Sequence, residues 1–127
     1  MQHGVHAYGA VARQIANPRD LEASLLLKAA ARLQAVSDSW DENRSGLDDA
    51  LLYNRKLWTV FLGSITSPDT QLPAEIRQNI ANLGVFIMNR TVAMLSNPQR
   101  EALASLININ RELAAGLRGP HPDAGKE

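Results

Sequence analysis

The strongest constraint on this chain is a repeated spacing of apolar residues by three and four. Leu26, Ala29, Leu33, Val36 and Trp40 follow it in one stretch, and Leu47, Leu51, Trp58, Phe61 and Ile65 share one face of a second. Ile76, Ile80, Leu83, Ile87 and Met94 mark a third, and Leu103, Leu106, Ile107, Leu113 and Leu117 a fourth. A strand would alternate every second residue; a helix advances about 3.6 residues per turn, so each set falls on one helical face that has to be buried. Eighteen Ala and seventeen Leu favour helix, and aromatic residues are only 5% of the chain. The second and third helices look buried on more than one side, because Leu57 and Val60 widen one stripe and Val85, Met88, Val92 and Leu95 form a further face of the other.

The breaks between these stretches carry local signals. Asn17-Pro18-Arg19-Asp20 and Asn97-Pro98-Gln99-Arg100-Glu101 both read as helix starts, with Asn accepting from an orphan N–H and Pro at the first helical position. Ser37 to Asp49 is polar and acidic, and Ser45-Gly46-Leu47-Asp48 resembles a capping box with Asp in the acidic place, so a helix should start near Gly46. Thr66-Ser67-Pro68-Asp69-Thr70 reads as a turn, Pro73 as a restart, and Gly116 with Gly119-Pro120 as the end of the last helix. A short additional helix is expected between Tyr8 and Ala16. The expected fold is all-α: a single-domain antiparallel helical bundle of four main helices over 1–127, ordered over about 7–118 with a disordered tail over 119–127.

Chemistry is hard to place on such a chain. Thirteen Lys plus Arg balance thirteen Asp plus Glu, which leaves no field for a phosphate backbone, and direct nucleic-acid binding is not expected. The absence of Cys removes thiol nucleophiles and thiolate metal sites. His3, His6 and His121 lie near the ends, and no nucleophile elbow, zinc helix, phosphate loop or dinucleotide fingerprint occurs. From Asp41 the order Asp41, Asn43, Ser45, Gly46, Leu47, Asp49 imitates a calcium loop, but Leu52 stands where the bidentate Glu belongs. A solvated acidic turn is the better reading. Lys28 with Arg32, and Arg55 with Lys56, read as solvated helix faces before they read as a patch for an acidic partner. No catalytic residue, cofactor or metal is expected. The start of the chain has no cationic segment leading into an apolar core and no run is long enough to span a bilayer, so a cytoplasmic protein without membrane insertion is expected.

The informative oddity is asparagine inside helices. Asn54 falls in the stripe between Leu51 and Trp58, and Asn110 between Ile107 and Leu113; Asn79, Asn82, Asn89 and Asn108 are also mid-helix. Asparagine is a poor helix former and needs partners in a buried seam, so these positions either fix register through a polar network or face a groove that another chain enters. Trp58 divides in the same way, as core or as an anchor beside a groove.

Several stretches taken together resemble a known family. YNRKLWTVFLG (Tyr53 to Gly63), LPAEIRQNIANLG (Leu72 to Gly84) and LININRELAAGL (Leu106 to Leu117), preceded by NPRDLEASLLLKAAARL, resemble the FlaF family of alphaproteobacterial flagellar biosynthesis regulators, over roughly residues 5 to 118. The unrelated archaeal flagellum protein of the same name is not meant. The resemblance implies a cytoplasmic protein needed for flagellin production and export, acting with flagellin and in opposition to FlbT, which restrains flagellin translation. It further implies an export chaperone, with an amphipathic flagellin segment held by helix-in-groove packing and no cofactor. Carried onto this chain, it points to Arg55, Leu57, Trp58, Leu72, Pro73, Arg77, Asn79, Asn110 and Gly116; together with Asn54 from the asparagine pattern, the expected protein-binding residues are Asn54, Arg55, Trp58, Arg77, Asn79 and Asn110. The alternative is a post-transcriptional regulator acting through FlbT or flagellin mRNA; a third reading is a structural bundle that forms a homodimer.

Overall fold

The computed structural model describes residues 18–42 and 45–119. Four helices make up the described chain: α1 (Pro18–Asp38), α2 (Gly46–Ile65), α3 (Ala74–Ser96) and α4 (Arg100–Arg118). No strand occurs among the described residues. The expected helix over Tyr8 to Ala16 and the tail beyond Gly119 lie outside them.

The helices form the expected antiparallel bundle. α1 packs on α2, α2 on α3, and α4 returns to α1, which is the most extensive contact; α3 and α4, although joined by three residues, touch only sparsely. The core follows the apolar stripes. Leu26, Leu33, Leu51, Ile65, Leu103 and Leu106 are fully buried, and the Trp58 and Phe61 rings meet edge to face at 5.5 Å. Burying a Leu or Phe side chain contributes about 1.5–3 kcal/mol, so side chains like these give the bundle most of its driving force.

Three features depart from the sequence expectations. Val60, Val85 and Val92 are 66, 61 and 58% exposed and no described helix covers them, although Leu57, Met88 and Leu95 of the same second faces pack against the core; Ile76, expected on the buried face of α3, is 42% exposed. Asn97 does not cap α4; it closes α3 by donating its backbone N–H to Ala93 O at 2.8 Å, and α4 starts at Arg100 with Gln99 as its extended N-cap. Two helices compete for one short link, and Asn97 serves the earlier. Ser45 stands at the N-cap of α2 with helical φ −67° and ψ −20°, and its side chain makes no capping bond, because a cap needs extended backbone to turn back on the helix.

Smaller shifts follow the same logic. Pro73 is the extended N-cap of α3, not its first helical residue. Gly116 lies inside α4, and the helix ends at Gly119, where a Cβ would come within 2.7 Å of the Ala115 carbonyl oxygen. α2 already begins at Gly46, which takes Leu47 and Asp49 out of any calcium loop. Among the described residues no group of three acidic or His side chains is placed to hold a metal, and no helix is long and apolar enough to cross a membrane.

Candidate functional site: an apolar cleft between the first two helices

The six sequence-derived site residues fall into three separate places. Asn54, Trp58 and Asn110 have no exposed surface. The Trp58 indole donates to Asn110 Oδ1 at 2.9 Å, and Asn110 Nδ2 donates to Asn54 Oδ1 at 2.7 Å and to the Leu26 carbonyl oxygen at 3.3 Å. This is an internal network that joins α1, α2 and α4 across the middle of the bundle. In this conformation no partner can reach it. Asn110 uses both amide protons and accepts one bond, whereas Asn54 Nδ2 is buried without a partner and costs on the order of 1–3 kcal/mol.

Arg77 and Asn79 stand on α3. The Arg77 guanidinium donates through Nε to the Leu72 carbonyl oxygen at 3.2 Å and fixes the entry to the helix, with Leu72 half-buried against the core and Pro73 at the cap; Asn79 is exposed. Arg55 is exposed on the outer face of α2, where Leu52, Arg55, Lys56, Thr59 and Val60 line one shallow depression. Gly116 is exposed with open space around it.

Beside Arg55 runs a cavity with nearly all-apolar walls. Leu21, Leu25 and Leu26 of α1 face Leu57, Val60 and Phe61 of α2 around a volume of about 170 Å³. A dry cavity of about 150 Å³ lined by such residues accepts benzene, so this one has room for a single Leu or Phe side chain. α1 carries Leu25-Leu26-Leu27 in succession, and a helix can turn only part of such a run inward; Leu26 is buried and Leu25 remains at the cleft. Val60 belongs to both the cleft and the depression around Arg55, so the two form one surface. Gly63, one turn beyond Val60, has nothing within 4 Å of where a Cβ would stand, which lets another backbone approach closely.

One end of the cleft is polar. Ser64 donates to Glu22 Oε2 at 2.9 Å, and Arg19 Nη2 reaches the same oxygen at 3.2 Å. Arg19 Nε lies 3.0 Å from Glu22 Oε1 as an ion pair, yet Oε1 and Arg19 Nη1 are buried without a hydrogen bond. Burial pushes the Glu22 carboxyl above its ordinary value, against the Ser64 hydrogen bond and the Arg19 charge, which both pull it down. The end of the cleft thus holds a desolvated acceptor with spare capacity. Sequence reasoning missed Leu21, Leu25, Glu22 and Ser64. Glu22 and Ser64 lie 42 residues apart and nothing local to either signals the pairing; the triple leucine was the one available hint.

The model of the flagellar protein FlaF matches residues 5–117. The chain belongs to the FlaF family. Comparison with curated proteins and with solved structures found no match. The match spans all four helices, and the FlaF stretch from Tyr53 to Gly63 is the one that supplies Arg55, Leu57, Val60 and Phe61 to the cleft and its rim. In this FlaF-family chain the Tyr53–Gly63 stretch therefore serves two ends: Asn54 and Trp58 point into the bundle, and their neighbours line an opening on its surface.

Proposed function

We propose that this flagellar protein is a cytoplasmic, non-enzymatic binding protein for flagellin: an export chaperone that holds an amphipathic flagellin segment in the α1–α2 cleft and thereby links flagellin synthesis to export. The observation that carries the reading is the apolar cleft on a chain of the FlaF family, within the residues that the family match covers. One large apolar side chain of the segment enters between Leu25 and Val60. Arg55 with Lys56 meets acidic residues along the outer side of the docked segment. Binding of this kind covers an apolar face that would otherwise drive premature assembly, and it requires no covalent chemistry.

Co-purification tests the reading. Folded chain is mixed with full-length flagellin and with flagellin lacking either terminal segment. Retention of the full-length protein, and loss with one truncation, is expected; failure of full-length flagellin to bind ends the chaperone reading. Binding to FlbT or to flagellin mRNA in place of flagellin would support the regulator reading instead, and an mRNA complex would weaken steeply with salt.

A further inference from the structure

The outer face of α3 is unlike the surface of the other helices. From Gln78 to Ser96 the helix carries a single charged residue, Arg90, which is half-buried with its guanidinium 4.8 Å over the Phe86 ring. On this stretch the bundle takes Ile80, Gly84, Ile87, Thr91 and Met94. The opposite side is a second seam of heptad spacing, Asn82, Val85, Asn89, Val92 and Ser96, whose members are all exposed. In heptad terms Asn82, Asn89 and Ser96 occupy a, and Val85 and Val92 occupy d. The flanking e positions are Asn79, Phe86 and Ala93, and the g positions Ala81, Met88 and Leu95. None of the a, d, e or g residues in this stretch is charged. Solvated helix faces carry interspersed charges, and charge depletion with apolar and aromatic residues marks interface cores.

We infer that this face pairs with the same face of a second copy of the chain, α3 against α3 in parallel and in register. A parallel, in-register two-fold pair places every seam residue opposite its own copy, so a charged residue on the seam would meet a like charge. A neutral seam avoids that penalty. The asparagine amide carries both donors and an acceptor, so Asn82 and Asn89 can each pair with their own copies, and a polar residue at a is the known device for fixing register at some cost in stability. The covered helix is about 28 Å long on a cylinder about 10–12 Å across, which buries less than the ~1,200 Å² typical of stable interfaces. The dimer is accordingly weak and depends on concentration. It lies on a different helix from the cleft, and its test needs no flagellin.

The chain has no cysteine, so single-cysteine variants report the seam cleanly. In a parallel, in-register pair Val85→Cys and Val92→Cys each face themselves at disulfide distance, whereas Val60→Cys on α2 does not. Under mild oxidation of the full chain the two α3 variants should give at least about tenfold more covalent dimer than Val60→Cys. Sedimentation should show the unmodified chain associating as its concentration rises, and Val85→Glu, with its helical content unchanged, should remain monomeric. A unmodified chain that is monomeric up to about 1 mM, or equal crosslinking at Val60→Cys, overturns the inference, and crosslinking at Asn89→Cys alone overturns the parallel register. If the chain is monomeric and Val85→Glu instead abolishes flagellin binding, the face belongs to flagellin and the self-pairing is refuted.

Discussion

Two sets of asparagines divide this molecule. Asn54 and Asn110 sit in a buried seam where α1, α2 and α4 meet, bonded to each other, to Trp58 and to a backbone carbonyl. Asn82 and Asn89 sit on α3 in a seam of the same spacing that faces outward. The residue type and the period are identical, and the energetics differ. Inside, an amide must find partners or cost the bundle on the order of 1–3 kcal/mol, so the network specifies how three helices register. Outside, the amides are exposed to solvent, with Asn82 Oδ1 accepting from Gln78 Nε2 at 3.1 Å, and no such penalty applies. α3 packs closely on α2, with Gly84 so near Leu62 that a Cβ would stand 2.7 Å from its Cδ1.

The sharpest attempt to break this contrast is Trp58→Ala, expected to cost about 3–5 kcal/mol of stability because it opens a cavity and strips Asn110 of its donor. Chemical denaturation would show it; a loss under about 1 kcal/mol would mean that the inner seam is not rigid core. Asn110→Ala follows at about 2–3 kcal/mol, since it orphans the indole N–H and leaves Asn54 unpaired. On the outer seam Asn89→Ala should stay within about 0.5 kcal/mol by the same measurement, so a cost like that of Asn110→Ala would erase the distinction.

Two smaller changes sharpen it. Gly116→Ala, at an exposed mid-helix site with open space, should stabilise α4 by about 0.5–1 kcal/mol in thermal melts. Glu22 gives the smallest effect. Its carboxyl is raised above the ordinary 4.5, so the folded chain binds the proton more tightly than the unfolded one. Its stabilising share is present below 4.5 and is lost as pH rises through the raised value. Relative to Glu22→Gln, the native chain should therefore lose stability on going from acid toward neutral pH, and a difference that does not vary with pH would show that the carboxyl is not desolvated.

Helix number, type and most of the core were legible in the sequence because a 3.6-residue period with Leu and Ala has one physical solution. Leu51, Ile65, Ile87 and Leu106 are buried where the stripes put them. Val60, Val85 and Val92 were not legible as surface. Periodicity identifies an apolar face and does not reveal whether a helix of the same chain covers it. The same gap separates Asn54 from Asn82, which no local pattern distinguishes. The Asn-Pro signal before α4 misled because Asn97 could serve either of two helix ends. Arg55 and Leu57 came from the family motif, whereas Leu21, Leu25 and Glu22 emerge only once α1 and α2 lie side by side.

The central claim is that the α1–α2 cleft holds a flagellin segment. Calorimetric titration of flagellin into the native chain and into Val60→Asp tests it most directly, because Val60 is exposed and its replacement should leave the fold intact. The account predicts binding by the native chain and at least about tenfold weaker binding by the variant, as a carboxylate is forced against an apolar side chain in the cleft. Equal affinity for both chains, with both folded, would contradict it.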